Sequence, residues 1–546
     1  MIKFMRYIVT VTTFYLLFFP VMLVAQAPDI LWWYDLNAPS FGSAAVGDID
    51  GDSMPEIIFG TYFNDEHIYA LNAEDGSLLW SYNTGGCNDA SPVIADVDLD
   101  GELEVIVPAS SPSRLYCFNG ATGQIEWDTT TGYGNCIDSP PAVADIDNDG
   151  KPEIVLGTFN GNVFAFNGED GSVAWHINLG TNSAIESGPN ILDLDGDEDF
   201  DVLVAQWGGD NRVYALNGQD GSTIWYSDIP QDYMYHGGSF ADIDEDGKSE
   251  IVIGCYDKHI YCFDSDSTFN WSYSTSYYIG APTSIADLNN DNHLEIVFVS
   301  YNKLGALLYT GDSLLWSYST AGNMFRGAAI ADVDGDNILD VAFGSEDGIL
   351  RILRGSDGQV VWTYDLQAHY GQTFEMDHAP VIADFNGDGK LDIFVVGGYG
   401  TSSQPQLNHG RAYALSAGEG TGPGWPMFRH DLRHSACFSG PTDVQEQNDK
   451  RVPGTVSGEV GNVPNPFNRG TDITFAIPIS GQVKLRIYDL TGKLVRILFD
   501  GYKEKGFYTT YWDRTSNDGH PVPAGIYFCK LQALTYKGTK RLTVIK

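Results

Sequence analysis

Basic residues are scarce in this chain. Lysine and arginine number 30 against 73 aspartates and glutamates, a net charge of -43 over 546 residues. So negative a molecule repels a phosphate backbone, which argues against nucleic acid as a partner. Cysteine is scarce too: there are seven, an odd count, with no Cys-x-x-Cys, which excludes a zinc ribbon or a thioredoxin-like centre. No amphipathic helical period of useful length occurs. Gly-x-Ser-x-Gly, His-Glu-x-x-His and a phosphate-cradling glycine loop are all missing. Apolar content is not low: 43% hydrophobic and 13% aromatic residues are enough for a large core and exclude a disordered chain.

One long apolar run stands at the start. Lys3 and Arg6 precede a stretch from Tyr7 to Val24, followed by Ala25-Gln26-Ala27. Residues 1–27 therefore read as a secretory signal. A membrane anchor is the other reading; Pro20, the threonines and the Ala-x-Ala site favour cleavage. The mature protein is then expected without a transmembrane span, secreted or on the outer cell surface, where calcium is plentiful and disulfides are permitted.

What the chain has in abundance is aspartate in a pattern. Asp145, Asp147, Asp149 and Glu153 stand at positions one, three, five and nine of one loop, with Gly150 at the turn and Lys151 offering only its carbonyl. Converging oxygens from a short loop suit a hard cation. Without one, two carboxylates about 4 Å apart repel by roughly 4 kcal/mol at an effective dielectric of about 20. The pattern recurs at Asp48, Asp50, Asp52 and Glu56; at Asp96, Asp98, Asp100 and Glu104; and at Asp193, Asp195, Asp197 and Asp201. It returns at Asp242, Asp244, Asp246 and Glu250; at Asp287, Asn289, Asp291 and Glu295; at Asp332, Asp334, Asp336 and Asp340; and at Asp384, Asn386, Asp388 and Asp392. Loop starts lie 45 to 52 residues apart, a near-constant period that marks a repeat architecture. Up to eight structural Ca2+ ions are expected.

Each repeat, between about 28 and 438, reads as four short strands. Ser91–Ala95 runs into an acidic loop; Glu153–Gly157 leaves one; Ile68–Asn72 and Ser77–Tyr82 flank the turn Glu74-Asp75-Gly76. Four strands per repeat of this length describe a propeller blade. The fourth strand carries a tryptophan in register: Trp80, Trp127, Trp175, Trp225, Trp271, Trp316, Trp362 and Trp425, expected to staple neighbouring blades. Ile30–Tyr34 resembles a fourth strand standing ahead of the first loop, able to complete the last blade and remove exposed edges. Cys255 and Cys262 flank a tight hairpin, as a cross-strand disulfide or as buried thiols. Cys117 and Cys262 fall where other repeats carry Ala70, Ala165 and Ala215, which suggests packed small residues.

Seven residues before each acidic loop stand Asp89, Asp138, Glu186, Tyr235, Phe325 and Asp377, with His236, Arg326 and His378 beside them. In a closed propeller these positions ring one mouth of the central channel, as a site for a sugar, a cationic ligand or a further ion, or as solvated strand ends.

The acidic loops followed by Phe59-Gly60 or Phe343-Gly344, with Gly280-Ala281-Pro282, resemble the FG-GAP (VCBS-type) repeats of integrin α propellers and their bacterial relatives. That resemblance implies calcium between the first two strands of each blade. Ala70-Leu71-Asn72 with Asp75-Gly76 and Trp80, and Ala215-Leu216-Asn217 with Asp220-Gly221 and Trp225, resemble the tryptophan-docking repeat of pyrroloquinoline-quinone propellers, as does Trp425–Asp431. Those have eight blades and integrin propellers seven, so the expectation is an all-β, eight-bladed β-propeller, alternatively seven-bladed. The adjacent Cys-Cys pair of the quinone-dependent dehydrogenases is missing here.

Residues 439–462 read as a linker, and 463–546 as short strands of a small immunoglobulin-like sandwich. Asn465-Pro466-Phe467, Ile487-Tyr488-Asp489, Gly492, Trp512-Asp513 and Ala524–Phe528 resemble the sorting domain of type IX secretion substrates and the Ig-like domain of flagellar hook-capping proteins. The resemblance implies export by a secretion machinery that reads this domain. The expected function is a non-catalytic, calcium-binding adhesion module for a glycan or an extracellular protein. The alternative is a polysaccharide lyase-like enzyme on the same propeller; the blades are poor in the Lys, Arg, His and Tyr clusters that an enzyme would need.

Overall fold

A computed structural model describes residues 28–420 apart from 112, 133–135, 181, 198 and 247, then Met427 and Arg429. It also describes 460–544 apart from 464–470, 478–480, 490–492, 504–505, 513, 518–519, 524 and 534–535. The signal segment, most of the linker, Trp425, Asn465–Phe467, Gly492, Asp513 and Ala524 lie outside the described residues. The chain divides into two compact units, Met1–Pro453 and Gly454–Lys546.

Among the described residues of the first unit, eight four-stranded antiparallel sheets follow one another. Burial falls from the first strand of a sheet to the fourth. Val93–Ala95 and Glu104–Ala109 are buried throughout, Arg114–Asn119 everywhere but its ends, and Ile125–Thr130 alternates between half-buried and exposed. Inner strands are covered on both faces by neighbouring sheets, so they read as unbroken Val/Ile/Ala runs. The outermost strand meets water and alternates. Among the described residues helix is confined to Leu366–Tyr370, capped by Asp365, and to one short 3-10 turn.

Hydroxyl and amide side chains stitch the inner strands around the axis. Ser43 N–H donates to Ser91 Oγ (2.9 Å), Ser139 Oγ to Ser187 O (3.1 Å) and Asn190 Nδ2 to Gly238 O (3.0 Å). Ser239 Oγ donates to Thr283 O (2.6 Å), Ser284 Oγ to Ala328 O (2.9 Å) and Ala379 N–H to Ser43 Oγ (3.2 Å). The last of these joins the eighth sheet to the first. That eighth sheet has the order Ile30–Leu36, His409–Gly418, Leu391–Tyr399, Val381–Ala383, so the N-terminal strand supplies its fourth member.

The tryptophans staple each sheet to the next. The indole N–H of Trp80 donates to Gly120 O (2.6 Å), Trp127 to Gly168 O (2.8 Å) and Trp175 to Gly218 O (2.6 Å). Each ring also covers a turn glycine of the following sheet. At Gly123, φ is +65°, and a Cβ would lie 2.5 Å from the Trp80 ring. In the eighth sheet this role belongs to Trp32, donating to Ala73 O (2.6 Å), where the sequence reading had given it to Trp425. Trp225 and Trp362 depart from the scheme: the indole N–H of each is buried without an acceptor, and the turn of the sheet after Trp225, Asp264–Thr268, has no glycine.

Cys255 and Cys262 are free thiols, as are the other described cysteines. Cys262 pairs opposite Val252 and Trp271, while Cys255 lies beyond the Gly254–Ile260 pair, so the two are out of register for a bridge. Cys117 and Cys262 do occupy the position of Ala70, Ala165 and Ala215, each opposite its sheet's tryptophan.

The second unit has a three-stranded sheet, Val460–Val463, Thr471–Ile477 and Gly506–Trp512, and a four-stranded one, ordered Leu494–Lys503, Gly481–Asp489, Gly525–Ala533, Tyr536–Val544. Ile473, Phe475 and Trp512 from the first meet Leu485, Cys529 and Leu531 from the second in one core, an Ig-like sandwich. Its first strand begins at Val460, inside the stretch read as linker, because Val460–Val463 pairs with Asp472–Phe475.

Candidate metal loops and channel site

Antiparallel strands fix which residues share a face of the ring. The acidic loops, between first and second strands, lie with the third-to-fourth turns on one face. The second-to-third hairpins and the connections between sheets lie on the other. The two groups of candidate residues therefore sit on opposite faces.

All eight acidic loops use one device. The ninth-position carboxylate turns back and accepts the backbone N–H of the second-position residue. Ile49 donates to Glu56 Oε2 (2.9 Å), Val97 to Glu104 Oε2 (2.8 Å), Ile146 to Glu153 Oε2 (2.9 Å) and Leu194 to Asp201 Oδ2 (3.0 Å). The same bond links Ile243 to Glu250 (2.6 Å), Leu288 to Glu295 (2.9 Å), Val333 to Asp340 (3.1 Å) and Phe385 to Asp392 (3.1 Å). The first-position carboxylate accepts a loop N–H, as from Gly150 to Asp145 Oδ2 (3.0 Å). Fifth-position carboxylates bond two residues on, as Asp100 does with Glu102 N–H (2.8 Å). A left-handed residue at position four closes each turn, including Leu99 (φ +64°) and Asn148 (φ +61°).

Carboxylate oxygens of Asp48, Asp50 and Glu56 lie within 4.8 Å of one another, as do those of Asp96, Asp98 and Glu104, and of Asp145, Asp147 and Glu153. Asp193, Asp195 and Asp197 form such a group, as do Asp242, Asp244 and Asp246. Asp96 Oδ1, Glu104 Oε1, Asp145 Oδ1 and Asp340 Oδ1 are buried with no hydrogen-bond partner. Burial, then neighbouring acids, push Glu104 up to about 9, Glu56, Glu153 and Asp340 to about 8, and Asp201 and Glu250 to about 7. In the two loops with asparagine at position three, Asn289 and Asn386 donate to Glu295 and Asp392, which rise to about 7. An all-oxygen donor set with orphaned buried carboxyl oxygens fits a hard divalent cation; it does not fit a thiophilic one.

On the other face, the structure brings the predicted mouth residues together and buries them more than strand ends open to water. Glu186, His236, Arg326 and His378 are buried; Asp89, Asp138, Tyr235 and Asp377 are half-buried; Phe325 is exposed. Arg326 reaches across to the first two sheets, Nε donating to Phe41 O (2.7 Å) and a terminal nitrogen to Asp89 O (3.2 Å). His378 Nε2 accepts Ala44 N–H (3.0 Å), and burial beside Arg326 holds this imidazole down to about 3. Asp138 accepts from Ser110 Oγ (3.2 Å) and Cys136 (2.9 Å). Burial and Asp138 raise Asp89 to about 8; burial, Glu346 and Glu375 raise Asp377 to about 7; burial and Asp138 raise Glu186 to about 9. Arg429, which the sequence reading passed over as a site residue, is buried among these groups and donates to Pro189 O.

Sequence reasoning also missed an aromatic patch. The short strands Ser183–Ala184 and Trp207–Gly208 pair on this face. Their signal was available: Trp207 stands outside the fourth-strand register that the other repeat tryptophans keep. Its ring meets Phe159 at 6.4 Å, Tyr233 at 6.2 Å, Tyr235 at 4.6 Å and Tyr256 at 6.3 Å.

Fold and loops together define a β-propeller with FG-GAP-like repeats followed by an Ig-like domain. Family models agree segment by segment: the outer membrane protein assembly factor BamB model matches 23–135 and 64–244, FG-GAP-like repeat matches 287–343 and 332–395, and FlgD Ig-like domain matches 467–537. No curated protein matches the chain. Among solved structures, quinohemoprotein alcohol dehydrogenase from Comamonas testosteroni is similar at 13% identity and a TM-score of 0.51, covering 73% of this chain and 78% of that one. A europium-containing methanol dehydrogenase reaches 0.51 at 12% identity, covering 71% and 93%. BamB from Moraxella catarrhalis aligns at 13% identity and 0.47, covering 71% and 99%. At these identities the likeness is one of fold. No helix among the described residues is long and apolar enough to cross a membrane.

Proposed function

We propose that this protein is an extracellular binding module: a calcium-rigidified propeller that presents the face opposite its metal loops to a glycan or protein ligand, and is exported through its C-terminal domain. The observation that carries the calcium reading is the set of buried, partnerless carboxyl oxygens in loops built only from oxygen donors. Such oxygens stand in three of the eight loops, at Asp96 and Glu104, at Asp145 and at Asp340, and a divalent ion in a loop would offset the mutual repulsion of its acids. When bound, calcium supplies charge neutralisation and cross-links the first two strands of a sheet; the residues that would hold it are those at positions one, three, five and nine.

A non-catalytic role is supported by how the bases around the channel are engaged. Arg326 and His378 are tied to backbone groups, and a chain of net charge -43 disfavours the acidic polysaccharides on which a lyase acts. Export is supported by the Ig-like fold of residues 460–544 and the apolar N-terminal run.

The test is a screen of the mature protein, with calcium and with chelator, against glycans and extracellular proteins. Capture that needs calcium and leaves the ligand intact is expected. Unsaturated sugar ends accumulating from an acidic polysaccharide would overturn the non-catalytic reading.

A further inference from the structure

Beside the channel, on the face opposite the acidic loops, is a pocket of about 310 Å³. Phe159, Trp207 and Tyr233 wall it, and Glu186 lines it. Phe159 and Tyr233 are 41% and 42% exposed, and they leave the pocket open to solvent. Glu186 is only 2% exposed, and neither carboxyl oxygen has a hydrogen-bond or ion-pair partner. No lysine, arginine or histidine lines the pocket. The guanidinium of Arg326, the cation that acts on Glu186, is committed to Phe41 O and Asp89 O.

A buried carboxyl without a partner is costly, and a cation that completes it offsets that cost. Aromatic faces attract cations through their quadrupoles, most strongly where water is excluded. A chain of net charge -43 concentrates cations at its surface. A sugar would ask for a fan of donors and acceptors; besides Glu186 the polar side chains here are Asn182 and Ser183, and Ser183 already donates its hydroxyl to Gly180 O (2.9 Å).

We propose that this pocket binds a methylated ammonium group, with Phe159, Trp207 and Tyr233 as its collar and Glu186 as its counter-charge. The inference rests on the reading of the chain as a binding module and names the ligand chemistry of one of its sites. The group is carried either by a small molecule or by a modified lysine of a peptide. The raised proton affinity of Glu186 fits a carboxyl awaiting a cation: the arriving charge displaces the proton.

The experiment is titration calorimetry on the calcium-loaded, full-length mature chain with choline, with a trimethyl-lysine peptide and its unmodified twin, with the neutral isostere 3,3-dimethylbutanol, and with neutral oligosaccharides. Choline or the trimethylated peptide is expected to bind about tenfold or more tightly than the neutral isostere. Which of the two binds better identifies the carrier. Glu186→Gln and Trp207→Ala are each expected to weaken binding about tenfold while leaving the calcium-dependent melting transition in place; Tyr233→Ala substitutes for either variant if it fails to fold. Equal binding of the isostere, binding of oligosaccharide alone, or variants that bind like the parent overturn the assignment. Failure to bind any ammonium by a chain whose melting still answers to calcium overturns this inference and leaves the module reading standing. Melting indifferent to calcium strikes that reading instead.

Discussion

Removing the metal should invert the pH dependence of stability. Glu104 shows why. It is fully buried, one oxygen holds Val97 N–H and the other holds nothing, and its carboxyl rises from 4.5 to about 9. In a metal-free protein the folded state binds this proton more tightly than the unfolded chain does. Its stabilisation is therefore complete below about pH 4.5 and is lost as pH rises toward 9. At about 1.4 kcal/mol per pH unit, the loss between pH 4.5 and 7 is about 3 kcal/mol for this one group. Glu56, Glu153 and Asp340, raised to about 8, add in the same direction. With calcium bound the same carboxyls are ionised, protons compete with the ion, and stability falls toward acid instead. Melting followed by circular dichroism in chelator and in millimolar calcium, at about pH 5 and pH 8, separates the cases. The chelated protein should melt several degrees lower at the higher pH, and the calcium-loaded protein should not. Curves that coincide with and without calcium at both pH values would refute the reasoning.

The tryptophan staples predict a contrast within one series. Trp175→Phe leaves Gly218 O without its donor and should cost about 1–3 kcal/mol in urea unfolding, whereas Trp225→Phe, which removes a buried N–H lacking an acceptor, should cost less or stabilise. Deleting residues 28–36 should bare the edge of His409–Gly418 and drive self-association, read by size exclusion with light scattering; a monomer that melts like the parent would argue against closure by the N-terminal strand.

The repeat, its four strands and its acidic loops were legible because each rests on side chains whose chemistry is local. Asp145 through Glu153 announces a tight acidic turn by spacing alone, and Trp80 or Trp175 announces a staple by register. The left-handed residue at position four was not legible: Leu99 there contradicts its own backbone preference and is held by the loop bonds around it. The hydroxyl belt was hidden because Ser43 and Ser91 look like ordinary loop serines until the inner strands are side by side. The Cys255–Cys262 bridge failed on register, which a sequence states only to within a residue or two. Asp89, Glu186 and Asp377 come together on one face, and their depth was not readable from the sequence. Arg326 crosses to Asp89 O from a distant sheet, a contact spanning 237 residues that no local pattern announces.

The N-terminal strand has one more consequence. Asp29 hydrogen-bonds Ser416, 387 positions later, so the ring cannot be sealed until nearly the whole first unit has been made. Bringing such remote ends together is entropically slow, and until it happens a partial circle carries a sticky rim. Ile30–Leu36 thus works as a latch that has nothing to catch on until His409–Gly418 is in place.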